Sequence, residues 1–100
     1  MIELLDLGTG RPRPIVELFF RLGPDEIAAI QHAADAEALQ RAAHKLKGTA
    51  SILGMRRLAA ASKELDDAAR TDLDTARALI PALVEAFEAT CEALRAELRD

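Results

Sequence analysis

Residues 36–54 read AEALQRAAHKLKGTASILG, and their apolar side chains recur at three- and four-residue spacing. This spacing predicts one amphipathic helix, because residues three and four apart share a helix face. Asp35 precedes the stretch at the position of an N-cap, and Gly54 ends it at the position of a left-handed C-cap. The expected buried stripe consists of Leu39, Ala43, Leu46, Ala50 and Leu53.

The chain before this helix is predicted to hold a short cap, a break and a bent helix. Residues 1–7 are predicted to form a cap helix, and residues 8–14 contain two glycines and two prolines, which predict a loop up to residue 14. The next helix is predicted over residues 15–22 and again over 25–34, bent or interrupted at the Gly23-Pro24 pair. Its expected inner face includes Ile15, Leu18, Phe19 and Leu22.

Two further helices are predicted after Gly54. The first spans residues 56–69, with Leu58 and Leu65 on its inner face. Residues 71–74 are predicted to be a loop that supplies caps for a last helix over residues 75–98, in which Pro81 either makes a kink or lies near the start. Short connections make consecutive helices antiparallel, so residues 15–98 are predicted to form an up-down four-helix bundle.

The composition limits both the fold and the function. One hundred residues suffice for a single domain, residues 1–100, and half of them are apolar with few prolines and glycines, which favours an all-α fold. A formal net charge of −4 argues against nucleic acid binding. A single cysteine forms no internal disulfide. No apolar run approaches the roughly 20 residues that span a bilayer. The acidic N-terminus does not resemble a signal peptide. We expect a cytoplasmic monomer without a membrane segment.

His44, Lys47 and Gly48 form the candidate functional site. At about 100° per residue the three project from neighbouring parts of one surface, and His44 lies about 140° from the centre of the buried stripe. A neutral imidazole can attack a phosphoryl group, and a lysine one turn away can contact the phosphate oxygens. A glycine within a helix costs about 1 kcal/mol relative to alanine. Gly48 is therefore predicted to keep the ring accessible.

The run from His44 to Gly54 resembles the histidine-containing phosphotransfer (HPt) domain of multistep two-component phosphorelays. In that family H-x-L-K-G is followed by a small residue and by a second glycine six positions after the first, and this sequence matches each element. The resemblance covers nearly the whole chain, with Phe19 or Phe20 and Asp35 at further family positions. It implies a helical bundle with a phosphorylated histidine.

The same resemblance implies a function. His44 would accept a phosphoryl group from one receiver-domain aspartate and pass it to another, the partners being receiver domains of a hybrid histidine kinase, a response regulator or both. The protein would be a carrier without an ATP site and without a cofactor of its own, since Mg²⁺ is expected only on the partner receiver domain.

Three further residues are weaker candidates for partner docking, and no residues suggest a metal site. Ser51 and Ile52 flank the exposed face, whereas Lys45 is expected to point away from the side on which His44 and Lys47 lie. Two histidines and one cysteine have no spacing suited to a metal, and His32 is expected to be an ordinary surface residue.

Three alternative functions compete with that of a relay carrier. Dimerisation domains of histidine kinases typically place an acidic residue directly after the histidine and a proline a few residues later, whereas Lys45 follows His44 and the next proline is Pro81. A helical adaptor that transfers nothing would not need His44, Lys47 and Gly48 together. An HPt domain of the chemotaxis type, phosphorylated by a kinase, remains open.

Overall fold

A computed structural model describes residues 13–99 of the chain, and these residues form four α-helices without a strand. Consecutive helices pack against each other, and the first also packs against the last, which closes a four-helix bundle. The predicted all-α bundle is confirmed, whereas the cap helix predicted at residues 1–7 lies outside the described residues. The helices are α1 Arg13–Gln31, α2 Ala36–Ile52, α3 Arg56–Ala69 and α4 Leu73–Arg99.

The ends of α2 follow from local chemistry, as predicted. The Asp35 carboxylate accepts a hydrogen bond of 2.8 Å from the backbone N–H of Ala38, which satisfies one of the free donors of the first turn. Beyond the helix, Gly54 adopts a φ of 77°, a left-handed conformation that favours glycine. All five residues of the predicted α2 stripe are buried.

Helix α1 differs from the prediction at both ends and in the middle. It begins at Arg13, because Pro14 fits the first turn of a helix, where its missing N–H is not needed. It continues through Gly23 and Pro24 without interruption and ends at Gln31 instead of residue 34. A Cβ on Gly23 would lie 2.6 Å from Cε1 of Phe87, so this glycine permits close packing against α4.

The buried face of α1 is also rotated from the predicted one. Val16 and Phe19 are fully buried, whereas Leu22, predicted to face inward, is 37% exposed. Val16, Phe19 and Gly23 follow each other at three- and four-residue spacing, which leaves Leu22 on the flank.

Helices α3 and α4 complete the core. The predicted bounds of α3 are confirmed, and its inner face buries Leu58 and Leu65 together with two polar residues, Ser62 and Asp66. Helix α4 begins at Leu73, two residues before the predicted start, because the Asp72 carboxylate accepts hydrogen bonds from the Asp74 N–H and the Thr75 hydroxyl. Pro81 lies inside α4. Across residues 13–99, no helix combines the length and the apolar character that crossing a membrane requires.

Candidate functional site

The site is centred on His44, whose side chain is 60% exposed on the outer face of α2. Its Nδ1 lies 3.1 Å from Oδ2 of Asp66 on α3, so α3 determines the orientation of a ring that α2 carries. The edge of the ring that bears Nδ1 faces the bundle. The opposite nitrogen, Nε2, is therefore the one available to a partner.

The partner of the ring is a buried carboxylate. Asp66 has a side-chain exposure of only 4%, and its Oδ1 accepts hydrogen bonds from Gln40 Nε2 at 2.8 Å and from Arg70 Nε at 3.1 Å. Burial acts to raise the pKa of Asp66, but the hydrogen bonds from Gln40 and His44 and the charge of Arg70 prevail, so its pKa lies below the usual value. Asp66 is therefore ionised at neutral pH.

This ionised carboxylate decides the tautomer of His44. A carboxylate only accepts hydrogen bonds, so Nδ1 must carry the proton that it donates to Asp66. In a neutral imidazole the other nitrogen then holds the lone pair. Nε2 of His44 thus holds a lone pair and can act as a nucleophile.

Gly48 leaves the space beside the ring open. A Cβ built on Gly48 would meet no atom within 4 Å apart from its own local backbone. Close helix packing, the structural explanation for a glycine within a helix, therefore does not apply here. That Gly48 keeps the ring accessible stays a prediction, which this open space allows.

Several cations surround the ring. Arg41, Lys45 and Arg70 border the same shallow depression as His44, together with Gln40. Lys45, predicted to point away from His44, thus lies nearer the site than expected. Lys47 is half-buried one turn after His44, and within residues 13–99 neither lysine forms a direct ion pair.

A family model described as Hpt domain matches residues 14–97. The chain belongs to the Hpt domain family. No curated protein and no solved structure matches it. Membership of the family implies a phosphotransfer role in two-component signalling, through interaction with receiver or kinase partners. Hpt domains are phosphocarrier modules, in contrast to the kinases that bind ATP.

The outer face of this Hpt domain also carries two exposed apolar side chains. Ile52 on α2 is 70% exposed and Leu22 on α1 is 37% exposed. A hydrogen bond between Thr49 and Glu26 aligns the two helices, and Ile52 follows Thr49 by three residues while Leu22 precedes Glu26 by four. Antiparallel helices therefore bring Leu22 and Ile52 to the same level, next to the exposed Ser51.

The residues that orient the ring of this Hpt domain were not predicted from the sequence. They are Asp66, Gln40 and Arg70. Asp66 nevertheless lies on the buried face of α3, since it directly follows the buried Leu65 and precedes the buried Ala69 by three residues. A carboxylate on an otherwise apolar helix face indicates a buried polar contact with a neighbouring helix, because a buried charge requires partners.

The second histidine has no part in the site. His32 is exposed at the end of α1, and its Nδ1 bonds to the carbonyl oxygen of Ala28 at 2.9 Å. Among residues 13–99, no cluster of three or more histidine, cysteine or acidic residues could hold a metal ion.

Proposed function

We propose that this Hpt domain is a phosphorelay intermediate, which accepts a phosphoryl group from a receiver-domain aspartate on His44 and passes it to an aspartate of another receiver domain. The observation that carries the proposal is the hydrogen bond from Nδ1 of His44 to the buried Asp66. This bond leaves Nε2 as an exposed nucleophile of fixed orientation.

The transfer can proceed without moving a proton. The Nε2 lone pair attacks phosphorus, the bond from phosphorus to the aspartyl oxygen breaks, and the aspartate leaves with the electron pair. The ring then carries a positive charge, which the Asp66 carboxylate stabilises through the Nδ1 proton. In the second step the carboxylate of the next receiver attacks phosphorus, the bond from Nε2 breaks, and the neutral ring returns with Nδ1 still protonated.

The surface around His44 fits partners of this kind. Arg41, Lys45 and Arg70 give a positive surround, which attracts an acidic site that carries an acyl phosphate. We include Lys45, Ser51 and Ile52 in the docking surface, and Leu22 extends its apolar part. The domain itself needs no cofactor, and Mg²⁺ belongs to the receiver. We further propose that it acts as a monomer in the cytoplasm.

The test is a two-step transfer with purified components. A receiver domain that carries labelled aspartyl phosphate is mixed with this domain, and a second, unlabelled receiver is then added with Mg²⁺. We expect an acid-labile, base-stable label on this domain, followed by its appearance on the second receiver. If a kinase with ATP labels this domain and no receiver of the organism does, the proposed relay is wrong and the domain is instead phosphorylated by a kinase.

Asp66→Asn should slow transfer to His44 by about tenfold, the effect of a charge-assisted hydrogen bond of about 1.5 kcal/mol. Asparagine has a single acceptor oxygen for the three donors that now meet the carboxylate. Because the pKa of Asp66 lies below its usual value, the wild-type carboxylate contributes at neutral pH and loses its effect only as the pH falls through that lowered pKa.

Single-turnover transfer rates of wild type and Asp66→Asn at neutral pH would measure the roughly tenfold effect. The control is Asp67→Asn, since Asp67 is exposed and pairs with Lys63. Equal rates for wild type and Asp66→Asn would show that Asp66 has no role in transfer.

Lys47→Ala should slow transfer or shorten the phosphohistidine lifetime by about tenfold or more, because a lysine ammonium forms charge-assisted hydrogen bonds with phosphate. Helical side chains lean towards the N-terminus of their helix, which directs Lys47 back to the level of His44. Lys47→Arg should retain part of the effect, whereas Lys45→Ala should cost less, because Lys45 lies about 100° around the helix from His44 and Lys47 only about 60°. Similar losses in the two alanine variants at equal ionic strength would leave only general positive charge as the explanation.

A further inference from the structure

The residue that directly follows α3, Arg70, shares its carboxylate partner with the ring of His44. Oδ2 of Asp66 lies 3.1 Å from Nδ1 of His44, and Oδ1 accepts a hydrogen bond of 3.1 Å from Nε of Arg70. One carboxylate, with a hydrogen bond on each side, is therefore all that separates the guanidinium from the ring. Both side chains also line the same shallow depression.

The guanidinium of Arg70 has hydrogen-bond donors that Asp66 does not use. Arginine carries five N–H donors on a planar group that stays charged in proteins. Across residues 13–99 only Nε of the Arg70 side chain forms a hydrogen bond, and this side chain is 56% exposed. In a bidentate pair a second guanidinium N–H would take the other carboxylate oxygen, but that oxygen here serves Nδ1 of His44. The Nη groups of Arg70 are thus available to an anion next to the ring.

The other two cations of the depression have weaker links to the ring. Arg41 pairs with Glu37 at 3.1 Å, and both side chains are exposed. Because helical side chains lean towards the N-terminus of their helix, Arg41 leans away from the level of His44. Lys45 lies about 100° around the helix from His44. Of the three cations, Arg70 is the one that shares a hydrogen-bonded partner with the ring.

A phosphoryl group on His44 changes the charges in a way that suits this arrangement. In the unmodified site the positive charge of Arg70 balances the buried carboxylate of Asp66. Once Nε2 carries a phosphoryl group, the ring keeps its Nδ1 proton and becomes a cation, which can itself balance Asp66. The phosphoryl group brings new negative charge and oxygen acceptors. The positive charge of Arg70 then matches that of an anion beside it.

We propose that Arg70 is a second cation for the phosphoryl group: with Nε still bonded to Asp66, its Nη groups donate hydrogen bonds to the phosphoryl oxygens on Nε2 of His44. Lys47 then contacts the phosphoryl group from α2 and Arg70 from the end of α3. The contact needs no proton transfer, since a guanidinium is always charged. This inference rests on the proposed function, because it assumes that His44 carries phosphate.

The test loads His44 with the small donor phosphoramidate, so that no receiver is needed. Nε2 attacks phosphorus, the bond from phosphorus to the donor nitrogen breaks, and that nitrogen leaves as ammonia. All proteins carry His32→Gln, which leaves His44 as the only histidine. Arg70→Gln should slow loading by about tenfold or more, the effect of a charge-assisted hydrogen bond. It should also raise the pH midpoint of the phosphorus-31 NMR titration of the loaded group, because a nearby guanidinium favours the more highly charged form.

The matched comparison is Arg41→Gln, which removes the same charge from the same depression. It should slow loading by no more than about threefold, since an exposed ion pair contributes little. Arg70→Lys keeps the charge but loses the planar group with its several donors, so it should restore only part of the rate. The lysine variant also serves as the test if Arg70→Gln folds poorly by circular dichroism.

A purely structural role of Arg70 would act through Asp66 and would disturb the ring. Nitrogen-15 NMR of His44 shows whether Nδ1 keeps its proton, and we expect this tautomer to persist in Arg70→Gln, because Gln40 still holds Asp66. Equal losses in Arg70→Gln and Arg41→Gln would overturn the proposal, as would slow loading together with a changed tautomer. The relay is judged separately, by transfer from receivers. A failure of that transfer with an intact effect of Arg70 on loading would contradict the relay and leave the role of Arg70 standing.

Discussion

His44→Gln is expected to abolish labelling by a phosphorylated receiver completely. Glutamine has no ring nitrogen with a lone pair that can form a phosphoramidate, although it retains polar character at an exposed position. The fold should persist, because the imidazole lies outside the core and contributes a single hydrogen bond to Asp66. The measurement is the incorporation of acid-labile label after incubation with the phosphorylated receiver, together with the circular dichroism spectrum of the variant.

The matched control for this variant is His32→Gln. His32 is also an exposed histidine with Nδ1 in a hydrogen bond, but its partner is the backbone carbonyl of Ala28 instead of a buried carboxylate. We expect His32→Gln to be labelled at the wild-type rate. Acid-labile label that persists in His44→Gln, or is lost in His32→Gln, would show that His44 is not the acceptor.

The parts of the fold that depend on neighbouring residues could be predicted from the sequence. Helix α2 has a capping aspartate, a regular apolar stripe and a terminal glycine, and each signal acts over a few residues. Helix α3 has no side-chain N-cap, and its bounds follow from its apolar stripe and from the turn at Gly54 that precedes it. The start of α4 was misplaced by two residues because Asp72, within the predicted loop, is the residue that caps the helix.

Features that depend on contacts between helices could not be predicted in this way. The Gly23-Pro24 pair predicts a bend or a break by local rules, but the ring of Phe87 on α4 packs against Gly23 and the helix continues. The exposure of Leu22 has the same origin, because the packing of α1 against α4 determines which face is buried.

The residues of the candidate site fall into the same two groups: those placed by neighbouring residues and those placed by contacts between helices. His44, Lys47 and Gly48 lie within one turn or so of each other, so helix geometry alone brings them together. Asp66 is 22 residues from His44, and its hydrogen bond requires the packing register between α2 and α3. Glu26 and Thr49 are 23 residues apart and depend in the same way on the register between α1 and α2.

These two long-range contacts explain how one helix can present its histidine with a defined orientation. Asp66 contacts the ring from α3, and Glu26 contacts α2 from α1, so the outer face of α2 is held from both sides by buried carboxyl groups. Between them the surface around Gly48 remains open. The role of that opening can be tested separately from the chemistry of the ring.

Gly48→Gln is expected to slow transfer about a hundredfold or more while leaving the fold intact, because misplacing the reacting groups by about 1 Å can already cost that much. The new side chain would occupy the open space one turn from His44, where a receiver must approach. Stability should rise slightly, since glutamine favours a helix more than glycine by roughly 0.5–1 kcal/mol.

Gly48→Ala should have a smaller effect on transfer, and Ala60→Gln on the exposed face of α3 should have none. Single-turnover rates and melting temperatures of the three variants separate access from folding: wild-type transfer by Gly48→Gln would refute the access argument, and a fall in its melting temperature would indicate a structural role.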